Sequence, residues 1–323
     1  MAVQKIIIDC DPGIDDAFAL AFAHGHPELD LGGITTVAGN VGLDLTTANA
    51  LRVRDFVGMR DVPVTAGCAV PLQRPALDAR AVHGDSGLGA ASLPATPSQP
   101  ARGHAVDFLA GAIGVEPGQV TLIAIGPLTN IALAVRRHPQ IVSQVRDFVI
   151  MGGSAGRGNV TPAAEFNIAA DPEAAAIVFA AGWTVTMVGL DVTLQARATA
   201  AVRARMHGLG RLADDLLLPS LAGYTGTGHG PGPDHADGPP VHDVCAVARV
   251  AAPGLVTCAP ARVEVETAGR WTSGMTVTDF TAAAGDCNAQ VAVAIDTDGF
   301  WDLVLDAYAR VAAGLGAASV TPC

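Results

Sequence analysis

Four aspartates stand within eight residues near the start of the chain, in Asp9-Cys10-Asp11-Pro12-Gly13-Ile14-Asp15-Asp16. Carboxylates this close repel one another unless a cation sits among them. One acid at a helix start is a capping residue, and the helix dipole favours it there. Four exceed what capping needs, so the pattern points to a hard-metal site built from oxygen ligands. A calcium-sized ion takes 6–8 oxygens at roughly 2.3–2.6 Å, which aspartates, a backbone carbonyl and water can supply. Such an ion lowers the pKa of water, and a ligating aspartate can accept the proton.

Further polar candidates fall where strands are expected to end: Asn40, Asn159, Glu165, Asn167, Asp191 and the pair His242-Asp243. Each has a plainer reading when taken singly. An Asn at a strand end is a turn residue, Asp243 is an N-cap, and His242 is a histidine satisfied at a helix start. Glu165-Phe166-Asn167 is odder, because a charge and an amide flank a Phe inside an Ala-rich stretch. That grouping suits a site that hydrogen-bonds hydroxyls. Carboxylates facing a sugar ring stabilise an oxocarbenium-like transition state, and a histidine on the far side can protonate a leaving group.

The elements that must hold these groups alternate between strand and helix. Lys5-Ile6-Ile7-Ile8 is a short apolar, β-branched run and predicts a buried strand. Pro12-Gly13 breaks it, and Asp15 and Asp16 open a helix through Ala23. Strands are expected at Leu31 to Val37, Val62 to Val64, Val120 to Ile125, Asp147 to Met151 and Thr184 to Leu190. Helices are expected at Thr46 to Val57, Ala105 to Ile113 and Ile131 to Arg137, and after Asp171-Pro172-Glu173, with Asp as N-cap and Pro at the first helical position. A helix from Val244 to Val250 follows His242-Asp243. Late strands at Arg262 to Glu266 and Gln290 to Ile295 and a closing helix at Phe300 to Val311 complete the pattern. This βα alternation predicts one α/β domain over residues 1–323, with a mostly parallel sheet covered by helices. Ligands bind at the carboxyl ends of strands in such sheets, where the Asp, Asn and Gly residues collect here.

Two stretches interrupt the alternation. Residues 71–103 carry five prolines around His83-Gly84-Asp85-Ser86-Gly87 and read as a long surface excursion. Residues 223–240 hold six Gly and four Pro, plus His229 and His235, and read as a flexible flap beside the site, because His242-Asp243 follows directly.

Composition narrows the function. The 323 residues are 50% hydrophobic and 15% charged, enough to bury a large core, and the net charge is −12. The 19 Lys and Arg form no basic patch, so nucleic acid and anionic membranes are poor partners. Lys5 is the only lysine, and it precedes the first strand, which removes the usual residue for Schiff-base and P-loop chemistry. The six cysteines contain no C-x-x-C pair and sit mostly in apolar sequence, as expected for buried thiols in a cytoplasmic protein. No uncharged apolar run reaches the roughly 20 residues of a membrane span, and the first strand leaves no room for a signal peptide.

At the level of motifs, Asp9 to Asp16 resembles the signature of the inosine–uridine nucleoside hydrolases. Ile34 to Asn40, His83 to Gly87, Gly126-Pro127-Leu128-Thr129-Asn130, Met151-Gly152-Gly153, Ala164 to Asn167, Val241-His242-Asp243 and Gly274 to Val277 follow in that family's order. The resemblance implies a Rossmann-like α/β domain with a mixed central sheet, assembled as homodimers or homotetramers. It implies calcium-dependent cleavage of ribonucleosides to ribose and free base. Asp11 would be a calcium ligand and the base that activates water. Asp16, the Ile125 carbonyl and Asp243 would complete the protein ligands. Asp15, Asn40 and Asn167 would bind the ribose hydroxyls, with help from Asp243. Asn159 and Glu165 would hold the 5′-hydroxyl, Met151 would line the pocket, His83 would lie near the base, and His242 would be the leaving-group acid. Tyr224 is the only aromatic residue between Gly223 and Pro240, where family members carry more. His242 argues against the purine-specific subgroup, which relies on tryptophan stacking.

Two other readings compete. Asp9-x-Asp11 also matches the nucleophile and acid of haloacid-dehalogenase-like phosphohydrolases, but Pro12 follows where they want a small turn, and no lysine comes after Lys5. A nucleoside-binding protein without catalysis could keep the same ligands.

Overall fold

The apolar run at Ile6-Ile7-Ile8 is the middle of a parallel sheet. In the computed structural model, which describes residues 3–226 and 237–318, it lies in strand β1 (Gln4–Cys10). That strand pairs in parallel with β2 (Leu29–Thr36) on one side and β4 (Val120–Ala124) on the other, Ile8 facing Ile34 and Ile123. Paired on both edges and covered on both faces, it has no use for polar alternation, hence the unbroken hydrophobic run. The remaining strands are β3 (Val64–Ala66), β5 (Asp147–Met151), β6 (Val185–Val188), β7 (Val256–Val265), β8 (Thr276–Asp279) and β9 (Ala289–Ile295). They form one sheet in the order β3-β2-β1-β4-β5-β6-β9-β7-β8, and β7 runs antiparallel to its two neighbours. The sheet is therefore mixed but mostly parallel.

Strand periodicity divides the interior in two. Ile6, Ile8, Cys10, Ile123, Val149 and Met151 belong to one apolar cluster with the helices Ile14–Gly25, Asp243–Ala251 and Thr297–Ala318. Ile7, Leu122, Ala124, Phe148 and Ile150 point the other way, onto the helices Ala105–Val115, Thr129–Arg137 and Pro172–Phe179. Asp171 caps the last of these by accepting from the Ala174 N–H, with Pro172 at the first helical turn.

Element boundaries moved where tertiary packing extends them. The late strand begins at Val256 because six residues before Arg262 find partners on β9. The closing helix runs from Thr297 to Ala318. The short third strand is Val64–Ala66, shifted past Pro63, which has no N–H to give to a ladder. Strand β8 starts at Thr276, inside the Gly274–Val277 motif, and runs past it to Asp279. A helical stretch from Ala200 to Gly226, with a π-helical turn at Leu212–Leu217, had no signal strong enough to be expected. Residues 71–103 are irregular apart from the short helix Arg80–His83. Of the stretch read as a flap, residues 223–226 complete the helix Leu218–Gly226 and Pro240 forms a bridge with Arg197. Residues 227–236, with His229 and His235, lie outside the described residues, as does Cys323. The five described cysteines carry no disulfide. Among the described residues, no helix is long and apolar enough to cross a membrane.

Candidate active site

Strand order reverses between β1 and β4, and the crevice outside their carboxyl ends is where an open α/β sheet binds ligands. A cavity of about 460 Å³ opens there. Asp15, Asn40, His83, Ile125, Met151, Asn159, Glu165, Asn167, His242 and Asp243 all line it, although they come from seven separate segments of the chain. Asp11 lies just beneath, fully buried.

The first turn does not keep its four carboxylates together. Asp9 is still within β1, on the face opposite Ile8 and Cys10, and its Oδ1 accepts from the Thr35 hydroxyl and from Asn130 Nδ2. The chain turns only after Cys10, so Asp11, Asp15 and Asp16 go to the cavity and Asp9 does not. Asp243 takes the fourth place, brought by the first turn of Asp243–Ala251. Carboxylate oxygens of Asp15, Asp16 and Asp243 converge within 4.8 Å of one another.

Hydrogen bonds from the backbone set this geometry. Asp16 Oδ1 accepts from the Asp11 N–H at 3.1 Å, and its Oδ2 accepts from the Gly13 N–H at 2.9 Å and from Asn40 Nδ2 at 3.1 Å. Asp11 Oδ2 accepts from the Asn40 N–H at 2.7 Å. Asp15 accepts from the backbone N–H groups of His242 and Asp243, so it ties the start of one helix to the start of another. Two helix N-termini thus aim their positive dipole ends at the acids.

Those dipoles are not enough. Three ionised carboxylates within 4.8 Å of one another would repel by about 3 kcal/mol per pair or more at an effective dielectric near 20. Summed, that rivals the whole stability of a typical domain, about 5–15 kcal/mol. Burial pushes Asp11 and Asp243 far above the carboxylate range, and burial together with Asp15 lifts Asp16 to about 7. Asp11 Oδ1 is buried without a hydrogen-bond partner. An orphaned carboxylate oxygen beside converging acids fits a cation, and an all-oxygen donor set fits a hard one.

The cradle around Asp11 is closed by glycine. A Cβ on Gly39 would lie 2.1 Å from Asp11 Oδ2, and one on Gly126 would lie 2.5 Å from Oδ1. Gly126→Ala should therefore displace the carboxylate and lower turnover by about tenfold or more. Calorimetric titration with calcium checks this, since the same variant should also bind the ion more weakly. Wild-type affinity and rate together would remove the cradle argument.

Two amides and Glu165 form a second set. Asn167 Nδ2 donates to the carbonyls of Ile125 and Met151, at 3.0 Å each, which anchors the amide at the ends of β4 and β5. Glu165 is the N-cap of the short helix Phe166–Ala170 and accepts from the N–H groups of Gly153, Asn167 and Ile168. Burial still raises it to about 7. Asn159 is exposed, and its Oδ1 accepts from the Phe166 N–H. Asp191, also a candidate from sequence, is outside the cavity. It accepts from the Ala155 N–H at 2.8 Å and anchors the loop that carries Asn159.

Two histidines face the other end. His83 Nδ1 accepts from the Ile14 N–H at 3.0 Å, which places its ring proton on Nε2. Burial lowers its pKa. Its ring meets Tyr224 edge-on at 5.9 Å, so the one aromatic side chain from that segment does reach the cavity. His242 is buried, and its Nδ1 lies 2.8 Å from the Thr193 hydroxyl. Arg157, Leu194 and Thr193 were not anticipated. Arg157 had a signal, a lone cation in a glycine-flanked loop after a strand, whereas Thr193 had none.

Comparison with known proteins agrees with this geometry. A family model described as inosine-uridine preferring nucleoside hydrolase matches residues 6–302. The inosine-uridine preferring nucleoside hydrolase of Leishmania major is 47% identical over 311 residues, covering 95% of this chain and 98% of that one. The non-specific ribonucleoside hydrolase RihC of Klebsiella pneumoniae is 47% identical over 296 residues, covering 91% and 95%. Among solved structures, a purine-preferring ribonucleoside hydrolase from Gardnerella vaginalis superposes with a TM-score of 0.88 at 33% identity, covering 96% of this chain and 99% of that one. With its acids, amides and histidines gathered at the switch point of one mixed sheet, and with likeness running along nearly its whole length, the chain belongs to the inosine-uridine preferring nucleoside hydrolase family of ribonucleoside hydrolases.

Proposed function

We propose that this ribonucleoside hydrolase requires calcium and cleaves the N-glycosidic bond of purine and pyrimidine ribonucleosides, releasing ribose and free base. The observation that carries the reading is the buried set Asp11, Asp15, Asp16 and Asp243 at the floor of a cavity walled by amides. Asp11, Asp16, Asp243 and the Ile125 carbonyl hold the ion. Calcium, when bound, offsets the acids and makes nearby water more acidic.

The protein groups then divide the work. Asp11 takes the proton of the attacking water. Asp15, Asn40 and Asn167 hold the ribose hydroxyls, and Asn159 and Glu165 hold the 5′-hydroxyl. Met151 packs under the sugar. The buried carboxylates oppose the positive charge that develops on the ring as the C–N bond breaks. His242 delivers a proton to the departing base, with His83 beside it. The enzyme works in the cytoplasm, a reading supported by the free thiols of the five described cysteines. It assembles as a homodimer or homotetramer, which Trp271, Val277 and Phe280, exposed around edge strand β8, support.

Incubation with inosine and with uridine should release reducing sugar, and p-nitrophenyl phosphate should not be cleaved. His242→Ala should slow inosine by about 10²-fold or more and spare p-nitrophenyl riboside, whose leaving group needs no proton. Equal losses on both substrates would take the leaving-group role from His242. Release of phosphate or of no sugar at all would favour the phosphohydrolase or the binding protein.

A further inference from the structure

The short helix Leu190–Thr193 follows β6 and contributes no side chain to the cavity. Thr193 nevertheless touches the site through one contact. Its side chain is fully buried, and its hydroxyl lies 2.8 Å from His242 Nδ1. We propose that Thr193 is a positioning residue, which holds the His242 ring by Nδ1 and so presents Nε2 to the departing base. This rests on the leaving-group role given to His242 above.

Three observations support it. First, a hydroxyl can both accept and donate, so it pairs with Nδ1 whether or not that nitrogen carries a proton. The contact therefore survives the proton transfer, in which the His242 imidazolium gives its Nε2 proton to a base nitrogen as the glycosidic electron pair moves there, leaving the neutral ring with Nδ1–H still donating to the Thr193 hydroxyl. Second, the chain on both sides of the contact is fixed. The Val241 N–H donates to the Ala196 carbonyl and the Ala198 N–H to the Pro239 carbonyl, each at 2.9 Å, and Arg197 bridges Pro240. The residues just before His242 are thus stapled to those just after Thr193. Third, the same short helix carries Asp191, which holds the Ala155 N–H and so the loop bearing Asn159. One four-residue element thereby anchors the leaving-group end and the sugar end of the cavity to the sheet.

Loss of the hydroxyl removes the restraint at Nδ1, and a donor misplaced by about 1 Å costs up to roughly a hundredfold. Thr193→Val keeps the shape and removes the hydroxyl. It should lower kcat on inosine by about tenfold or more, leave p-nitrophenyl riboside within about threefold of wild type, and lose nothing further when combined with His242→Ala. Thr193→Ser should restore inosine turnover, and circular dichroism should show all variants folded. Wild-type inosine turnover in Thr193→Val, or equal losses on both substrates, overturns the proposal. If His242→Ala is selective for inosine and Thr193→Val is not, the positioning role alone fails. If His242→Ala is not selective either, the leaving-group role has failed and Thr193 falls with it.

Discussion

Asp11→Asn should lower turnover of inosine by about 10³-fold or more while making the calcium-free protein more heat-stable. Both effects have one cause. The carboxylate is fully buried, Asp16 repels it, and its Oδ1 has no hydrogen-bond partner. Asparagine has the same shape and can still accept from the Asn40 N–H at the Oδ2 position. It removes the charge, and with it the ability to take a proton from water. Sites built for chemistry store such strain, so removing it commonly stabilises the fold and abolishes the activity. Steady-state kinetics and thermal denaturation in a chelator check the two halves. Turnover within tenfold of wild type would show that Asp11 is not the base.

Calcium removal should act almost as strongly, and its size should depend on pH in a definite direction. A carboxylate whose pKa is raised by folding binds its proton more tightly in the native state than in the unfolded chain. Between the ordinary value near 4 and the folded value, the native state holds more protons, so stability falls as pH rises. Asp16 sits at about 7, with Asp11 and Asp243 shifted further in the same direction. Metal-free protein should therefore lose stability steadily from about pH 4 through pH 7 and beyond. On the proposed reading calcium pairs with the ionised acids, so its benefit should grow over the same range. At a thousandfold excess over Kd it is worth about 4 kcal/mol. That corresponds to a rise in melting temperature of several degrees at pH 8 and little at pH 5. Asp9 and Glu165, each raised to about 7 but outside the proposed ligand set, should keep a residual downward slope even with calcium present. Chelation should also cut activity by at least about a hundredfold, with recovery on adding calcium. Identical melting curves with and without calcium at pH 8 would argue against any ion among these acids.

Much of this was readable in the amino-acid order, for physical reasons. The unbroken run Ile6-Ile7-Ile8 pointed to a buried strand, and regular βα alternation pointed to a mostly parallel sheet. Asp171-Pro172 marked a helix start because proline lacks the N–H that a first turn leaves unused. The density of acids from Asp9 to Asp16 exceeded any structural need, which pointed to a cation before any geometry was known. Local chemistry of this kind travels with the sequence.

Other features depended on the folded chain. Nothing in the first turn says that Asp9 leaves the cluster, because that follows from where β1 ends relative to its pairing with β2 and β4. Nothing local to Asp243 says that it takes the vacant place more than two hundred residues later. Thr193 meets His242 only because two backbone segments, 196–198 and 239–241, are stapled side by side. The sequence by itself determined which groups were available and which elements would carry them. The tertiary structure alone decided which acids share one small volume, since side-chain meetings between distant segments are set by sheet register and helix packing rather than by neighbours in the chain.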